Sequence, residues 1–339
     1  MKTNPKVAVV ILNWNGRHYL EQFLPSVVAS SYPNLEICVG DNASTDDSVQ
    51  FLKKHYPKIR LIQNDKNYGF AGGYNRVLAQ VDAEYVVLLN SDVEVDKNWI
   101  NPVIELLESN PQIAAAQPKL LSYRDKSIFE YAGAAGGFID YLGYPFCRGR
   151  IFDTVEKDEG QYNQASEIFW ASGAAFFIRK KAWDEINGFD EDFFAHMEEI
   201  DLCWRLKSRD YQIWYCPEAS VYHVGGGTLA AESPFKTFLN FRNNLWMIHK
   251  NYPAKTAFFK VFIRFFLDFV TLLKFLVEGK PKNAAAISKA HVAFLKSWKT
   301  NAAKRQLVNP DRNTHDIYPR SIVWDYFIRK KKKFSDLSA

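Results

Sequence analysis

Asp92 follows a short apolar segment, and a carboxylate in such a place can bind a metal ion. Residues 85–89 are five apolar residues bounded by polar ones, which predicts a strand buried on both faces of a parallel sheet. Such sheets bind ligands at the carboxyl ends of their strands. A carboxylate there can hold Mg²⁺ or Mn²⁺ against a diphosphate, whereas Asn90 can add only a neutral carbonyl oxygen or a hydrogen bond. His223 is either a further ligand, of a kind that suits Mn²⁺ better than Mg²⁺, or a structural histidine.

Polar side chains also follow three other predicted strands, at Asn13, Asp41 and Asn67. In an open sheet, the loops after these strands share one edge. Asp41 alone is most simply a helix cap or turn residue, but as a ligand-binding group it could accept the N–H of a uracil or thymine ring. Gly69 and Gly72 permit close approach of the backbone to a diphosphate. The glycine spacing matches neither the phosphate loop of nucleotide hydrolases nor the dinucleotide fingerprint.

A second acidic group lies at the start of a predicted helix, where Glu198, Glu199 and Asp201 are followed by Arg205. The helix dipole favours carboxylates at that end, which is the simplest explanation of the group. The three carboxylates face different directions, however, so one can point into a cleft while another pairs with Arg205. A carboxylate in a cleft can deprotonate a sugar hydroxyl. The sequence therefore offers a candidate general base as well as a candidate metal ligand.

The elements that would position these residues alternate between strand and helix. We predict strands at residues 7–12, 36–40, 59–62, 84–89, 113–117, 172–178, 212–216 and 219–223. The predicted helices cover residues 17–29, a segment through residue 52, a segment after the glycine turn, and residues 99–108, 181–186 and 198–208. This alternation predicts an α/β fold with a doubly wound, mostly parallel sheet and right-handed crossovers. Residues 120–166 have weak periodicity and receive no prediction, and residues 225–228 are predicted to form a flexible turn.

The charge distribution divides the chain in two. Residues 240–339 carry 20 Lys and Arg against 6 Asp and Glu, whereas the first 239 residues carry 23 against 32. An acidic body with a basic tail suggests that the tail meets an anionic surface. Lysines 330–333 lie beside aromatic residues and either attract anionic lipids or form a solvated tail. The four cysteines form no C-x-x-C pair, which indicates reduced thiols.

An apolar segment at residues 257–277 is long enough to span a bilayer. It carries four charged residues that fall within an arc of roughly 120° on a helix, namely Lys260, Arg264, Asp268 and Lys274. One polar stripe on an otherwise apolar helix favours a position in a membrane interface over a crossing. The alternative is a helix docked on the globular body. An aromatic, apolar helix beside the basic cluster fits a membrane better than nucleic acid.

Seven short motifs follow one another along the chain. They are V-V-I-L-N-W-N at 9–15, D-N-A-S at 41–44, N-Y-G-F-A-G-G-Y-N at 67–75, L-L-N-S-D at 88–92, G-F-D-E at 188–191, E-E-I-D-L-C-W-R at 198–205 and H-V-G-G at 223–226. In this order they resemble family 2 glycosyltransferases, most closely the bacterial rhamnosyltransferase-like branch. The resemblance covers about residues 6–251. The Q-x-x-R-W motif of processive synthases is absent, and residues 241–244 stand near where it would fall, so we expect addition of a single sugar.

The resemblance implies a GT-A fold, an inverting mechanism and a divalent metal, Mg²⁺ or Mn²⁺. It assigns metal binding to Asp92 and His223, base recognition to Asp41, and catalysis to Glu199, with Glu198 and Asp201 beside it. The family's usual Glu-Asp pair is Glu198-Glu199 here, and Asn90 replaces the first Asp of a strict D-x-D. The nucleotide-sugar-binding residues that we expect are Asn13, Asn15, Asp41, Asn67, Gly69, Phe70, Gly72, Asn75, Asn90, Ser91 and Gly173.

We therefore expect an enzyme that moves one sugar from a UDP- or dTDP-sugar, with dTDP-rhamnose as one candidate, to a saccharide acceptor on a lipid in bacterial surface polysaccharide synthesis. The catalytic domain is expected at residues 1–235, with a nucleotide-sugar-binding half at 1–118 and an acceptor half at 119–235. Residues 236–339 would form a helical, membrane-associating extension, which would hold the protein on the cytoplasmic face of the cell membrane. The alternative is a catalytically inactive nucleotide-sugar-binding protein, because Glu replaces Asp at position 199.

Overall fold

A nine-stranded sheet forms the centre of the molecule in the computed structural model, which describes residues 4–225, 233–307 and 316–338. Its strands are β1 (Val7–Asn13), β2 (Leu35–Asp41), β3 (Arg60–Gln63), β4 (Tyr85–Asn90), β5 (Val93–Val95), β6 (Ile113–Ser122), β11 (Ser166–Ile168), β12 (Ala175–Arg179) and β13 (Gln212–His223). The strand order is β11-β13-β6-β12-β4-β1-β2-β3, with β5 paired to β13.

The sheet is mostly parallel, as its sequence predicts. β1 pairs in parallel with β2 and β4, β2 with β3, and β13 with β6. β12 runs antiparallel between β4 and β6, so its amino end meets the carboxyl ends of the other strands. Alternate residues of β1 enter two hydrophobic cores, one on each face of the sheet. Burial on both faces explains why β1 and β4 are continuous apolar segments.

The helices around the sheet agree with the predicted periodicity. They are α1 (Arg17–Val28), α2 (Ser48–His55), α3 (Gly69–Leu78), α4 (Ile100–Ser109), α5 (Lys180–Glu185) and α6 (Glu198–Lys207). In α1, the buried residues Leu20, Phe23, Leu24 and Val27 recur at helical spacing and pack on the sheet. Two predicted strands at 212–216 and 219–223 are instead the single strand β13, whose register against β6 shifts between Cys216 and Ser220.

The segment without a prediction forms a second, antiparallel sheet of short strands. These are β7 (Gly137–Ile139), β8 (Pro145–Cys147), β9 (Arg150–Ile151) and β10 (Thr154–Val155). Strands of two or three residues are too short to show a period of two. Phe146 and Ile151 of this sheet share a small core with Ile322, Tyr326 and Leu337 of the carboxyl-terminal part.

The carboxyl-terminal part is helical, as expected. Its helices are α7 (Pro234–Asn251), α8 (Ala254–Val277), α9 (Pro281–Lys296), α10 (Trp298–Ala303) and α11 (Ile322–Phe327). Within the described ranges, no helix combines the length and the apolarity that crossing a membrane requires. Residues 226–228 of the predicted flexible turn lie outside the described residues.

Candidate active site

The loops after β1 and β2 are joined by the side chains of Asn13 and Asp41. These residues face each other in the parallel register, and Nδ2 of Asn13 donates to Oδ1 of Asp41 across 3.2 Å. The backbone N–H of Ser44 donates to the other oxygen of Asp41 across 3.0 Å. Asn15, which has a left-handed φ of 52°, accepts from the N–H of Thr45 across 2.7 Å. Asp41 is thus held at the sheet edge with lone pairs left for a further donor.

Asn42, which the sequence did not single out, organises the next loop through four hydrogen bonds. Its Nδ2 donates to Oδ1 of Asn67 and to the carbonyl of Gly69, each across 3.0 Å. Its Oδ1 accepts from Asn64 and from the backbone of Tyr68. Asn42 is buried, so these bonds fix the turn between β3 and α3. Its position beside Asp41 in a polar loop is the sequence feature that could have indicated this role.

The glycines of this turn fit closely against other parts of the chain. Gly69 has a φ of +70°, and a Cβ there would lie 2.6 Å from the carbonyl oxygen of Phe194. A Cβ on Gly73 would lie 2.8 Å from Leu12. The N–H of Phe70 donates to the same Phe194 carbonyl across 2.7 Å. Close packing within the protein therefore explains why positions 69 and 73 have no side chain. The expected reason was close approach of the backbone to a diphosphate.

The other residues that we expect to bind the nucleotide-sugar lie in different surroundings. Nδ2 of Asn75 donates to the carbonyl of Phe189 across 2.9 Å, and its Oδ1 accepts from the N–H of the same residue across 3.0 Å. Asn75 thus fastens the loop before α6. Gly173, at the amino end of β12, packs against the ring of Phe70. Ser91 is half-buried beside Asp92.

Asp92 and His223 lie together at the carboxyl edge of the sheet. Oδ1 of Asp92 is 3.2 Å from Nε2 of His223, and both residues are buried. Nδ2 of Asn90 is 3.4 Å from the same nitrogen. On its other side, Nδ1 of His223 is 3.3 Å from Oε1 of Glu130. Glu130 lies in the segment without predicted elements, so no sequence pattern indicated it.

This pair fits a divalent ion with few protein ligands. Neighbouring ligands of an octahedral ion with bonds of about 2.1 Å lie about 3 Å apart, close to the separation of Asp92 and His223. Among the described residues, no group of three or more His, Cys, Asp or Glu side chains is arranged to hold a metal ion. Oxygens of a substrate and water would have to complete the coordination.

Charge controls the protonation of His223. Burial alone would lower the pKa of its imidazole, but the carboxylates of Glu130 and Asp92 outweigh this effect and raise the pKa to about 10. A bound cation would therefore displace a proton from His223.

The acidic pair Glu198 and Glu199 follows a strained loop. Phe194, His196 and Met197 have φ values of 64°, 69° and 72°, a left-handed conformation that costs free energy and persists only where surrounding contacts enforce it. Nδ2 of Asn243, on α7, supplies such contacts. It lies within 2.9 Å of the carbonyl oxygens of Phe193 and Ala195 and 2.8 Å from that of His196.

Burial raises the pKa of both glutamates. Burial, together with the charge of Glu199, raises the pKa of Glu198 well above its ordinary value. Burial raises the pKa of Glu199 to about 7. Oε2 of each carboxyl group is buried without a hydrogen-bond partner in the described structure. The pair therefore binds a proton more tightly than exposed glutamates do, which suits it to general-base catalysis near neutral pH.

Asp201 does not share this position. It is fully buried, and its carboxylate accepts from Arg205 across 2.9 Å, from Lys250 across 2.9 Å and from Asn251 across 2.8 Å. The carboxylate of Asp201 is thus held by contacts within the protein, and the expected pairing of one carboxylate with Arg205 is confirmed.

Two solved structures have a similar fold. S. aureus TarS 1–349 is similar with a TM-score of 0.53 at 15% identity, over 93% of this chain and 99% of that one. GalNAc-T7, solved with UDP, GalNAc and Mn²⁺, is similar with a TM-score of 0.58 at 15% identity, over 74% of this chain and 48% of that one. At this identity the likeness shows the fold, which is the GT-A fold that the sequence predicts.

The sequence then gives the family. The family described as glycosyl transferase family 2 matches residues 8–186, more than half of the chain, so the chain belongs to glycosyltransferase family 2. It is 29% identical over 231 residues to an N-acetylglucosaminyl-diphospho-decaprenol L-rhamnosyltransferase of Mycobacterium tuberculosis, covering 63% of this chain and 75% of that protein. The prediction of a glycosyltransferase is thereby confirmed.

Proposed function

We propose that this glycosyltransferase is metal-dependent and inverting, and that it moves one sugar from a UDP- or dTDP-sugar to a saccharide acceptor on a lipid. The observation that carries the proposal is the buried pair of Asp92 and His223 at the sheet edge. A place for Glu198 and Glu199 at the same edge is supported by the loop before them, which touches the start of α3 through Phe194.

Asp92 and His223 would hold the divalent ion, Mg²⁺ or Mn²⁺. When bound, such an ion neutralises the charge that develops on a departing diphosphate. Asn90, beside His223, would contribute a neutral polar group. The crystal structure of GalNAc-T7 with UDP, GalNAc and Mn²⁺ supports the use of a divalent ion in this fold.

Asp41 would recognise the base of the donor. Its carboxylate is held by Asn13 and by the backbone of Ser44, so its position is set before a ligand arrives. An acceptor-only group there selects a ring that presents an N–H, which uracil and thymine both do. Asn15 and Ser91 lie in loops of the same edge and would contact the rest of the nucleotide-sugar.

Glu199 would act as the general base. An ionised Glu199 takes the proton of the acceptor hydroxyl as the oxygen attacks the anomeric carbon, and the diphosphate leaves from the opposite side. One displacement of this kind inverts the anomeric configuration. In this role of Glu199, Glu198 would keep its proton and add no second negative charge beside the base.

The acceptor is proposed from the relatives. The mycobacterial rhamnosyltransferase is named for N-acetylglucosaminyl-diphospho-decaprenol, a sugar on a lipid diphosphate. An acceptor of this class would place the reaction at the cytoplasmic face of the membrane. dTDP-rhamnose is the first donor to test for the same reason.

The test is a transfer assay with the full chain, Mn²⁺ or Mg²⁺, a panel of UDP- and dTDP-sugars, and an N-acetylglucosaminyl-diphospho-polyprenol. We expect mass spectrometry to show one added sugar from one donor of the panel, and NMR to show the inverted anomer. Glu199→Gln should abolish transfer, whereas Glu105→Gln, a change on the exposed side of α4, should not. A retained anomeric configuration would refute the single displacement.

An inactive nucleotide-sugar-binding protein is the competing function, because Glu stands in place of the family's Asp at 199. It predicts donor binding in calorimetry without turnover for every acceptor. The half-buried position of Glu199 and its pKa of about 7 favour the active enzyme, since both suit a base at neutral pH.

A further inference from the structure

α8 is docked on the protein by its polar side. Arg264 and Asp268 are 3% and 0% exposed. Nη1 of Arg264 donates to the carbonyl of Leu142 across 3.1 Å, and its guanidinium lies 3.7 Å from the ring centre of Tyr144. Oδ2 of Asp268 is 3.0 Å from Nε2 of His291 on α9. The middle of the polar stripe, Arg264 and Asp268, therefore faces inward, whereas Lys274 at its end is exposed.

The opposite side of α8 is apolar and exposed. Ten large apolar side chains there are 40% to 90% exposed: Phe258, Phe259, Phe262, Ile263, Phe266, Phe269, Val270, Leu273, Leu276 and Val277. At 100° per residue they occupy an arc of roughly 140°, and from 258 to 277 no charged residue falls within it. This polarity is the reverse of a surface helix in water. A contiguous apolar face of this kind marks an interaction site.

α11 also exposes apolar side chains. Trp324, Phe327 and Ile328 are 56%, 43% and 58% exposed. Ile263 of α8 and Trp324 of α11 line one cleft of about 440 Å³, together with charged residues such as Arg320 and Arg329. Trp324 thus lies close to the exposed apolar side of α8, and we call the exposed apolar residues of α8 and these three residues of α11 together the apolar face.

Positive charge borders the apolar face. Five basic residues, 329–333, follow Ile328 directly, and Arg329, Lys330 and Lys333 are exposed. Lys274 lies just outside the apolar arc with a side chain that is 62% exposed. Aromatic residues bordered by Lys and Arg are typical of helices that lie in the interface of an anionic bilayer.

A second copy of the chain fits the apolar face less well. A twofold dimer through it would bring each basic border near the other, and residues 240–339 already carry 20 basic against 6 acidic residues. Like charges at such a contact oppose association. An anionic lipid surface meets both the apolar residues and the charge.

We propose that the apolar face lies in the headgroup region of an anionic lipid bilayer, with α8 parallel to the membrane plane. The helix docks on the body through Arg264 and Asp268, so the body and its sheet edge are held at a set distance from the lipid. This inference extends the membrane location in the proposed function, but lipid binding is measured without donor or acceptor, so it can fail or succeed independently of transfer.

The test is flotation of the full chain with vesicles of equal parts phosphatidylglycerol and phosphatidylcholine, compared with vesicles of phosphatidylcholine alone. The test variant is Phe262→Gln with Phe266→Gln, because these side chains are 73% and 66% exposed and their replacement leaves the core intact. The control is Val28→Gln, an exposed apolar residue of α1. Lys330→Ser with Lys333→Ser tests the basic border.

We expect the unaltered chain and Val28→Gln to float with the anionic vesicles, and the double Phe variant to lose at least about tenfold in its partition coefficient. The Lys variant should lose binding to anionic vesicles more than to phosphatidylcholine. Equal flotation of the double Phe variant and the control would overturn the proposal. A lipid-free dimer that the Phe variant converts to a monomer, with no flotation of the unaltered chain, would also overturn it.

Discussion

The backbone N–H of Phe70 donates to the carbonyl oxygen of Phe194 across 2.7 Å. This bond joins the start of α3, in the nucleotide half of the sheet, to the loop that leads into Glu198 and Glu199. The N–H of Ala71 donates to the same oxygen across 3.1 Å. The position of the acidic pair therefore depends on the turn that follows β3.

Gly69→Ala should disturb both parts at once. Its Cβ would lie 2.6 Å from the Phe194 oxygen, at a φ of +70° that alanine disfavours. We expect a loss of about 1–3 kcal/mol in the free energy of unfolding and a clear fall in kcat. Gly279→Ala is the matched control, since Gly279 has a similar φ of +72° but a Cβ there would meet nothing within 4 Å. Equal effects in urea unfolding and in transfer assays would contradict this explanation.

Asn243→Asp should loosen the strained loop before Glu198. The substitution replaces an NH₂ group that faces three carbonyl oxygens with a second acceptor. Each buried carbonyl left without a donor costs about 1–3 kcal/mol, although water can recover part of it. We expect lower thermal stability and a kcat that falls more than KM changes. Asn240→Asp, half-exposed on the same helix, should leave both quantities close to those of the unaltered enzyme.

Asp92→Asn should weaken metal binding directly. The substitution keeps the shape of the side chain but removes the carboxylate 3.2 Å from His223, and Asn90 offers no charge to replace it. We expect the affinity for Mn²⁺, measured by electron paramagnetic resonance without donor, to fall at least about tenfold. Asp82→Asn, an exposed change away from this edge, is the control. Unchanged Mn²⁺ binding in Asp92→Asn would remove Asp92 from the metal site.

The activity should rise with pH through the ionisation of Glu199. Its pKa is raised to about 7, so the base is protonated below this value and ionised above it. We expect kcat/KM to fall about tenfold per pH unit below pH 7 and to level off above it. The profile is measured with saturating Mn²⁺ and a non-titrating acceptor. A rate that is constant from pH 5 to pH 8 would exclude Glu199 as the base.

The sequence predicted the part of the site that rests on consecutive elements. β1 and β4 are apolar, and β1 pairs in parallel with both β2 and β4, so Asn13, Asp41 and Asp92 follow strand ends that share one edge. Hydrophobic periodicity does not predict that His223 lies beside Asp92. The two residues are close because the end of the long strand β13 pairs with β5. The residue type of His223 left open whether it is a ligand or a structural histidine, and the family resemblance favoured the ligand.

Other contacts depend on segments whose sequences carry no period. Glu130 lies among short strands, and Asn243 acts on carbonyl groups some 50 residues away. The side of α8 that packs on the protein was likewise not predicted from the sequence. Its stripe of charge was visible in the sequence, but Leu142 and Tyr144, which receive Arg264, lie in the segment that had no prediction.

Asp201 and Glu199 are two residues apart and should respond in opposite ways to neutral substitution. Asp201→Asn leaves Arg205 without its buried counter-charge and leaves Lys250 paired with Asp190 alone, which should cost about 3 kcal/mol of unfolding free energy while donor binding by the folded fraction persists. Glu199→Gln should have the reverse effect at high pH. The folded pKa of about 7 lies above the ordinary 4.5, so the folded state of the unaltered chain binds more protons than the unfolded state between these values, and its stability falls as pH rises through this window. The variant lacks that cost and should exceed the unaltered chain by about 1–3 kcal/mol at pH 8, with the difference vanishing near pH 4. Urea unfolding at pH 4 and pH 8 measures both effects. If Glu199→Gln were less stable than the unaltered chain at pH 8, the carboxylate of Glu199 would have a stabilising partner in the folded state.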